Sequence, residues 1–258
     1  MNMYAEERQQ EIGLLAKQHG RVSVSDLAER YDVTPETIRR DLDALAALGI
    51  LSRVHGGAVP AEKVRLIEHA VPFREGSAAA EKRRIATRAL AYLPRTATPN
   101  VILDAGTTVA RLAELIPPGQ VQNVVTNSLT SAAIASSRGV ADVHLVGGRV
   151  RGLTQATVGA SSIVELRRVK VDVAFLGTNG FSVDHGFSTP DPAEADVKRA
   201  MTGAARLVVV LADSSKFNSD YLVSFARIAD ADVLITDSAL TEEATQALTD
   251  QGIEVVLA

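Results

Sequence analysis

Glycine and small polar residues follow an apolar segment near the middle of the chain, in a pattern that suits anion binding. The segment ends at Asp104, and a helical pattern begins at Gly106-Thr107-Thr108. Backbone N–H groups, hydroxyls and the positive end of a helix dipole together favour a phosphate group. The run matches neither the three-glycine dinucleotide motif nor the lysine-containing P-loop. It therefore indicates either a phosphate site or a plain helix N-cap.

Further apolar segments end in residues of the same kind, and these ends lie together if the segments form parallel strands. The residues concerned are Thr126, Asn127, Gly148, Arg149, Gly177 and Asn179. Ligands bind beyond the carboxyl ends of strands in such sheets, and several converging polar ends are hard to explain by turn chemistry alone. Lys216 follows a fifth segment, where it could offer a cation to a phosphate or cap backbone carbonyls.

Glu194 and Lys198 stand four residues apart in a helical pattern after the fourth segment. The simpler interpretation is a surface ion pair, which stabilises a helix by about 0.3 kcal/mol. The alternative is a place in the ligand site, where Glu194 and Asp104 would accept hydrogen bonds from sugar hydroxyls. Asp104 and Lys198 could also form an acid/base pair.

Near the N-terminus, adjacent arginines are predicted on a helix with a sharp start. Thr34 is a suitable N-cap, and Pro35 fits the first helical position. Apolar residues at helical spacing form one face of this helix. The side chains of Thr37, Arg39, Arg40 and Asp41 are then expected on its sides and outer surface. Arginine binds guanine bidentately in the major groove. We expect base and phosphate contacts from the arginines, and backbone contacts from the threonines; an ordinary solvated helix is the alternative.

The elements around this helix complete a DNA-binding pattern. Helical patterns over 6–19 and 24–31 precede it, and two short helices joined by a tight turn are typical of a helix-turn-helix. The alternating stretch 50–59 contains a glycine pair and predicts a β-hairpin wing. The wing would place Arg53 and His55 beside a phosphate or in the minor groove, although His55 could equally pack on the helix.

Composition limits the remaining possibilities. The 258 residues are 46% apolar, contain no cysteine and carry a net charge of -4. The missing cysteine excludes disulfides, thiolate catalysis and cysteine-ligated zinc, and we expect no metal, cofactor or catalytic residue. The net charge argues against indiscriminate polyanion binding, so DNA-binding charge must be local. Neither a leader nor a run of about 20 apolar residues is evident, which predicts a cytoplasmic protein without a membrane span.

From residue 99 onwards, short apolar segments alternate with helical ones. The predicted strands are 101–104, 121–126, 143–146, 171–176, 207–212, 233–236 and 254–257. Such alternation predicts an α/β domain with a doubly wound parallel sheet. The expected organisation is a winged helix-turn-helix domain over 1–60, a linker over 61–79 and an effector domain over 80–258.

Several runs resemble one family over nearly the whole chain. Thr37-Ile38-Arg39-Arg40-Asp41-Leu42 and Arg53-Val54-His55-Gly56-Gly57-Ala58 resemble the winged helix-turn-helix of DeoR-family bacterial transcriptional regulators. The runs that match the family's effector domain are Thr126-Asn127, Gly177-Thr178-Asn179-Gly180, Glu194 with Lys198, and Asp213-Ser214-Ser215-Lys216. The resemblance implies a repressor whose winged helix-turn-helix reads an operator and whose C-terminal domain senses a sugar phosphate. The family's effector domain is similar in fold to ribose-5-phosphate isomerases and CoA transferases.

We therefore expect a repressor of a sugar uptake or catabolism operon, which binds double-stranded operator DNA as a homodimer or homotetramer. The start Tyr4-Ala5-Glu6-Glu7-Arg8 resembles members that govern fructose uptake, so a fructose phosphate is the first candidate effector. One alternative is an isomerase-like enzyme fused to a winged helix, although the aspartate cluster of the isomerases is missing after the fourth strand. Another is a winged-helix interaction module that never contacts DNA.

Overall fold

The computed structural model describes residues 5–19, 21–48, 50–54, 56–60 and 70–258. The chain divides into two compact units, Met1–Glu68 and His69–Ala258. His55 and residues 61–69 of the expected linker lie outside the described residues. Within the described ranges, no helix is long and apolar enough to cross a bilayer.

The first unit is a small helical domain with a short antiparallel sheet. Its elements are α1 (Ala5–His19), β1 (Val22–Ser23), α2 (Val24–Tyr31), α3 (Pro35–Ala47), β2 (Leu51–Val54) and β3 (Gly57–Pro60). The N-cap hydroxyl of Ser23 accepts a hydrogen bond from the N–H of Asp26 at 3.1 Å, and that of Thr34 accepts one from the N–H of Thr37 at 3.2 Å. These bonds confirm the expected starts of α2 and α3. The sheet order β1-β3-β2 adds one strand to the predicted hairpin.

The additional strand β1 explains one glycine of the wing. A Cβ atom on Gly57 would lie 2.0 Å from the carbonyl oxygen of Val22, so only glycine permits this approach of the two backbones. The signal for β1 is weak, because two residues are too few to show alternation.

The prediction that Asp41 faces outward is wrong. Asp41 is buried, and its carboxylate accepts hydrogen bonds from Arg8 Nε at 2.6 Å and Gln9 Nε2 at 2.8 Å. Helix α1 supplies both donors, so this side of α3 is internal. The helical period distinguishes faces, but it does not say which polar face a second helix will cover.

The second unit is a doubly wound α/β domain, as predicted. Its helices are α4 (Val71–Gly76), α5 (Ala79–Ala89), α6 (Thr107–Leu115), α7 (Leu129–Ser137), α8 (Ala160–Leu166), α9 (Pro192–Ala204) and α10 (Glu242–Thr249). Its strands are β4 (Asn100–Leu103), β5 (Asn123–Thr126), β6 (Asp142–Leu145), β7 (Arg149–Arg151), β8 (Ala156–Val158), β9 (Val171–Gly177), β10 (Gly180–Ser182), β11 (Gly186–Thr189), β12 (Ala205–Leu211), β13 (Val223–Ala226), β14 (Val233–Thr236) and β15 (Glu254–Leu257).

The main sheet has the order β15-β14-β12-β9-β4-β5-β6, and all of its strand pairs are parallel. These are the seven predicted strands. Core residues cover both faces, because side chains alternate along each strand. In β4, Ile102 packs in the same core as Met201 of α9, whereas Val101 packs in the opposite core with Ile85 of α5.

The sequence patterns did not predict three features of this unit. Helix α4 lies within the stretch expected to be a linker, β7 and β8 form a hairpin, and β10, β11 and β13 form a small antiparallel sheet. The strands of the hairpin and the small sheet are three or four residues long. Each of them follows another strand without an intervening α-helix, so the strand–helix alternation that indicated the parallel sheet does not reveal them.

Candidate functional site

A pocket opens at the carboxyl edge of the main sheet, beside the point where the strand order reverses. The chain runs from β4 to β5 and β6 on one side, and β9 then returns to the other side of β4. Ligands of open α/β sheets bind at this kind of crevice. The pocket is lined by the predicted residues Gly106, Thr107, Thr108, Gly177 and Lys216, and by the unpredicted residues Phe73, Arg74, Ser77, Lys82, Thr178, Leu211, Ala212 and Asp213.

Three cationic side chains line this pocket, and Lys82 is the most buried of them. Its side chain donates hydrogen bonds to the backbone carbonyls of Ser77 at 2.8 Å and Arg74, and the residue is 6% exposed. The pKa of Lys82 is lowered to about 8, chiefly by burial; Asp213 opposes this shift, and the nearby cations Lys216, Arg74 and Arg111 add to it. The arrangement favours an anion, because an anion would relieve the repulsion between the cations.

Neither of the other two cations has an ion pair with another described residue. Arg74 stands on α4, and Lys216 lies in the short 3-10 turn after β12. In this turn the Lys216 backbone N–H donates to the Asp213 carbonyl at 3.0 Å, so the ammonium is not needed for that cap. Both cations are therefore available to a ligand.

The start of α6 supplies uncharged donors to the same pocket. Gly106 is the N-cap and offers no side-chain acceptor to the N–H groups of the first turn, while Thr107 and Thr108 carry hydroxyls. A Cβ atom on Gly106 would meet no atom within 4 Å, so packing does not explain the glycine. The N-terminus of α6 thus combines N–H and hydroxyl donors with open space at Gly106.

Thr126 and Asn127 do not line the pocket. Thr126 Oγ1 donates to the Leu103 carbonyl at 2.5 Å. Asn127 Oδ1 accepts the N–H of Ala105 at 3.0 Å, and its Nδ2 donates to the Thr157 carbonyl at 3.3 Å. These bonds hold the ends of β4 and β5 together, so both side chains support the site from beneath.

Gly148, Arg149 and Asn179 lie elsewhere along the same edge. Gly148 has φ +154°, and a Cβ atom there would lie 2.4 Å from Ser162 Oγ, so close packing accounts for this glycine. Arg149 is exposed at the start of β7, and Asn179 is half-buried, with its backbone N–H donating to the Ser188 carbonyl at 3.1 Å.

The interpretation of Glu194 and Lys198 as a surface ion pair is wrong, because both are buried and each has a different partner. Glu194 accepts hydrogen bonds from Arg151 Nη1 at 2.6 Å and from the Thr154 hydroxyl. Arg151 Nε also pairs with Asp191 at 3.1 Å. Glu194 therefore anchors the β7–β8 hairpin to α9.

Lys198 forms a buried ion pair with Asp104 and also donates to the Gly177 carbonyl at 2.9 Å. The Gly177 N–H donates to Asp104 Oδ2 at 2.9 Å. Asp104 Oδ1 is buried and has no hydrogen-bond partner in the part of the chain that the structure describes. The ion pair lies directly behind Gly177, and one carboxylate oxygen of the pair, Asp104 Oδ1, is still available as an acceptor.

The sequence contained one signal for the missed pocket residues. Lys82 stands three, four and seven residues before Ile85, Ala86 and Ala89, which are buried on α5. A lysine on an apolar helix face is uncommon unless it has partners or a ligand. Arg74 and Ser77 carried no such signal, because they fall in the stretch assigned to the linker.

In the first unit, the predicted DNA-contacting residues lie on α3 and the wing. Arg39 is exposed and pairs with Glu36 at 3.1 Å. Arg53 donates to the Arg39 carbonyl at 3.0 Å and pairs with Asp43, so the wing is braced against α3. Arg40 is exposed, and its side chain has no ion pair with any residue whose placement is described. Thr34, Pro35 and Thr37 form the first turn of α3.

Comparison with known proteins gives matches along the chain. A DeoR-like helix-turn-helix domain matches residues 8–64, and a DeoR C terminal sensor domain matches residues 77–238. The HTH-type transcriptional regulator GlpR of Haloferax volcanii is 35% identical over 252 residues, which cover 98% of this chain and 97% of that protein. The glycerol-3-phosphate regulon repressor of Escherichia coli is 31% identical over 244 residues, 94% of this chain and 95% of that protein. A ribose 5 phosphate isomerase A structure from Neisseria gonorrhoeae shares 19% identity, with a TM-score of 0.39 over 54% of this chain and 53% of that chain.

Proposed function

Because the chain belongs to the DeoR family of transcriptional regulators, we propose that it represses a sugar uptake or catabolism operon in the cytoplasm, under the control of a phosphorylated sugar. The family consists of DNA-binding regulators, and the two relatives above are named as a transcriptional regulator and a repressor. Membership of this family argues against both alternatives, the isomerase-like enzyme and the winged-helix interaction module that does not contact DNA.

The observation that carries the effector proposal is the set of unneutralised cations at the sheet edge. Lys82 and Lys216 line one pocket with the first turn of α6, and Asp213 is the acidic residue that lines it. A phosphate group carries up to two negative charges and several acceptor oxygens, which match ammonium, hydroxyl and backbone N–H donors. We assign the phosphate to Thr107, Thr108, Lys82 and Lys216.

The sugar itself needs acceptors for its hydroxyls. Asp104 Oδ1 is suited to this role, because it is buried without a donor and its carboxylate is held by the N–H of Gly177, a pocket residue. Glu194 Oε1 already accepts hydrogen bonds from Arg151 and Thr154. We therefore place Glu194 in the support of the site, and propose Asp104 for hydroxyl recognition.

On the DNA side, we assign direct readout to Arg40 and helix positioning to Thr34 and Thr37. Arg40 is exposed on α3, and an exposed guanidinium can reach guanine O6 and N7. Two copies of the chain would present two such helices to half-sites about one helical turn apart. The effector acts by favouring one arrangement of these copies, and only its differential affinity for the two states can shift them.

The test is thermal unfolding of the full chain with a panel of phosphorylated sugars and their unphosphorylated forms, beginning with fructose phosphates. A ligand at 100 times its dissociation constant stabilises the folded state by about 2.7 kcal/mol. We expect a shift with a phosphorylated sugar that the free sugar does not produce. Lys216→Met should reduce it, whereas the matched control Lys170→Met, on an exposed lysine away from the pocket, should leave it unchanged.

A panel without any shift would contradict the sugar-phosphate effector and leave the DNA-binding function standing. A shift that survives in Lys216→Met would place the ligand at a different site.

A further inference from the structure

Helix α4 joins the pocket from outside the main α/β core, and it is weakly held. It has six residues and no side-chain hydrogen bond at its N-cap, Ala70. A helix this short is marginal without tertiary contacts. Its first N–H, at Val71, donates to the Leu153 carbonyl at 3.2 Å, and its C-terminal end is held by the Lys82 ammonium.

The three cations that line the pocket outnumber the one carboxylate, Asp213, that lines it with them. Arg74 on α4 faces the same pocket as Lys82 on α5 and Lys216 after β12. Both Arg74 and Lys216 lower the pKa of Lys82, which places the three cations within electrostatic reach of each other. α4 therefore sits on the domain against a like-charge repulsion.

We propose that the effector itself completes the pocket, because its phosphate bridges the Arg74 guanidinium of α4 to the cations and hydroxyls of the core. This inference rests on the proposed phosphate site. The guanidinium takes phosphate oxygens bidentately. Lys82 needs no rearrangement, because an ammonium has three donors and two carbonyls occupy only two of them. Binding replaces the repulsion with attraction and holds α4 against the sheet edge.

This device makes α4 the segment that responds to the ligand. In the chain, α4 follows residues 61–69, which lead from the winged-helix unit. Phe73 is 63% exposed and lines the same pocket, so the helix also carries an apolar side chain next to the proposed sugar site. Arg74 is thus a ligand-binding residue on the segment that precedes the sensor core.

Hydrogen exchange of the full chain tests the proposal, with inorganic phosphate as the probe and chloride at equal ionic strength as the control. At about ten times the dissociation constant, a ligand that binds only the closed form slows exchange through local opening by about tenfold. We expect this slowing in residues 71–77 as well as in 106–110. Arg74→Gln should abolish it in 71–77 and retain most of it in 106–110.

Arg74→Gln leaves the hydrogen bond between Lys82 and α4 intact, because Lys82 donates to the backbone carbonyl of residue 74 and not to its side chain. Arg83→Gln, on the exposed side of α5, is the matched control and should behave as the unaltered chain. Slowing in 106–110 without slowing in 71–77 would overturn the role of α4 and leave the phosphate site intact. No slowing in either region would overturn both the phosphate site and the bridge.

A fluorescence reading distinguishes closure from a change elsewhere. The chain has no tryptophan, so Phe73→Trp places a single reporter on α4. Phosphate should change its emission and raise its anisotropy, and the Phe73→Trp/Arg74→Gln double variant should respond at least several-fold less. An equal response in the double variant would refute the bridge.

Discussion

Two sets of charged residues lie side by side at the carboxyl edge of the sheet, and they differ in how their charges are paired. In the first set, Lys198 pairs with Asp104, and Arg151 pairs with Glu194 and Asp191. In the second set, Lys82 is bonded to neutral carbonyls, and no ion pair of Arg74 or Lys216 occurs among the described residues. The difference indicates that the paired set holds the edge of the sheet together, apart from the unused oxygen Asp104 Oδ1, and that the unpaired set is available to an anionic ligand.

The largest expected effect on stability comes from a substitution that breaks an ion pair of the first set. Lys198→Met leaves the Asp104 carboxylate, 1% exposed, without its cation. Losing one partner of a buried ion pair costs about 3–5 kcal/mol in the free energy of unfolding. Denaturant unfolding measures the change. Lys170→Met is the control: its exposed ammonium makes one hydrogen bond, to the Gly203 carbonyl at 2.9 Å, so the expected change is at most about 1 kcal/mol.

A second substitution sharpens the same test. Adding Asp104→Asn to Lys198→Met removes the stranded charge and should recover part of the lost stability. If Lys198→Met proves as stable as its control, the pair does not hold the edge together and the contrast between the two sets fails.

The next effect concerns the unpaired set, where ligand affinity should change more than stability. Lys82→Met has two opposing effects on the free energy of unfolding. It removes the cost of burying a cation, but it also removes two hydrogen bonds to backbone carbonyls. We expect a smaller loss of unfolding free energy than in Lys198→Met, together with phosphate affinity at least about tenfold weaker, or 1.4 kcal/mol. Titration calorimetry measures the affinity. An unchanged affinity would remove Lys82 from the site.

The last expected effect is a pH dependence. The pKa of Lys82 falls from 10.5 to about 8 on folding, so between these values the unfolded chain holds a proton that the folded chain has released. The contribution of Lys82 to the unfolding free energy therefore rises with pH across this window, and phosphate affinity falls as the ammonium is lost. Unfolding and titration across the window in the unaltered chain and in Lys82→Met check both trends, which the variant should lack.

Local patterns were sufficient for most of the fold. The seven strands, the cap at Thr34 and the helix-turn-helix all follow from period and capping within a few residues. In the site, the glycine and threonines at the start of α6 were also found, because a strand end followed by a helix start is a local signal. Their neighbours Arg74 and Ser77 were missed because α4 is too short to show a period.

By itself, the sequence determined the two-domain organisation, the parallel sheet and the edge at which the candidate pocket lies, since hydrophobic period and turn chemistry are short-range properties of the chain. Only the tertiary structure decided the partners of the charged groups. Lys198 meets Asp104 across 94 residues and Arg151 meets Glu194 across 43, because the strand order places β4, β9 and the β7–β8 hairpin around α9. Whether a cation is neutralised or left for a ligand depends on such distant neighbours, and no spacing along the chain contains that information.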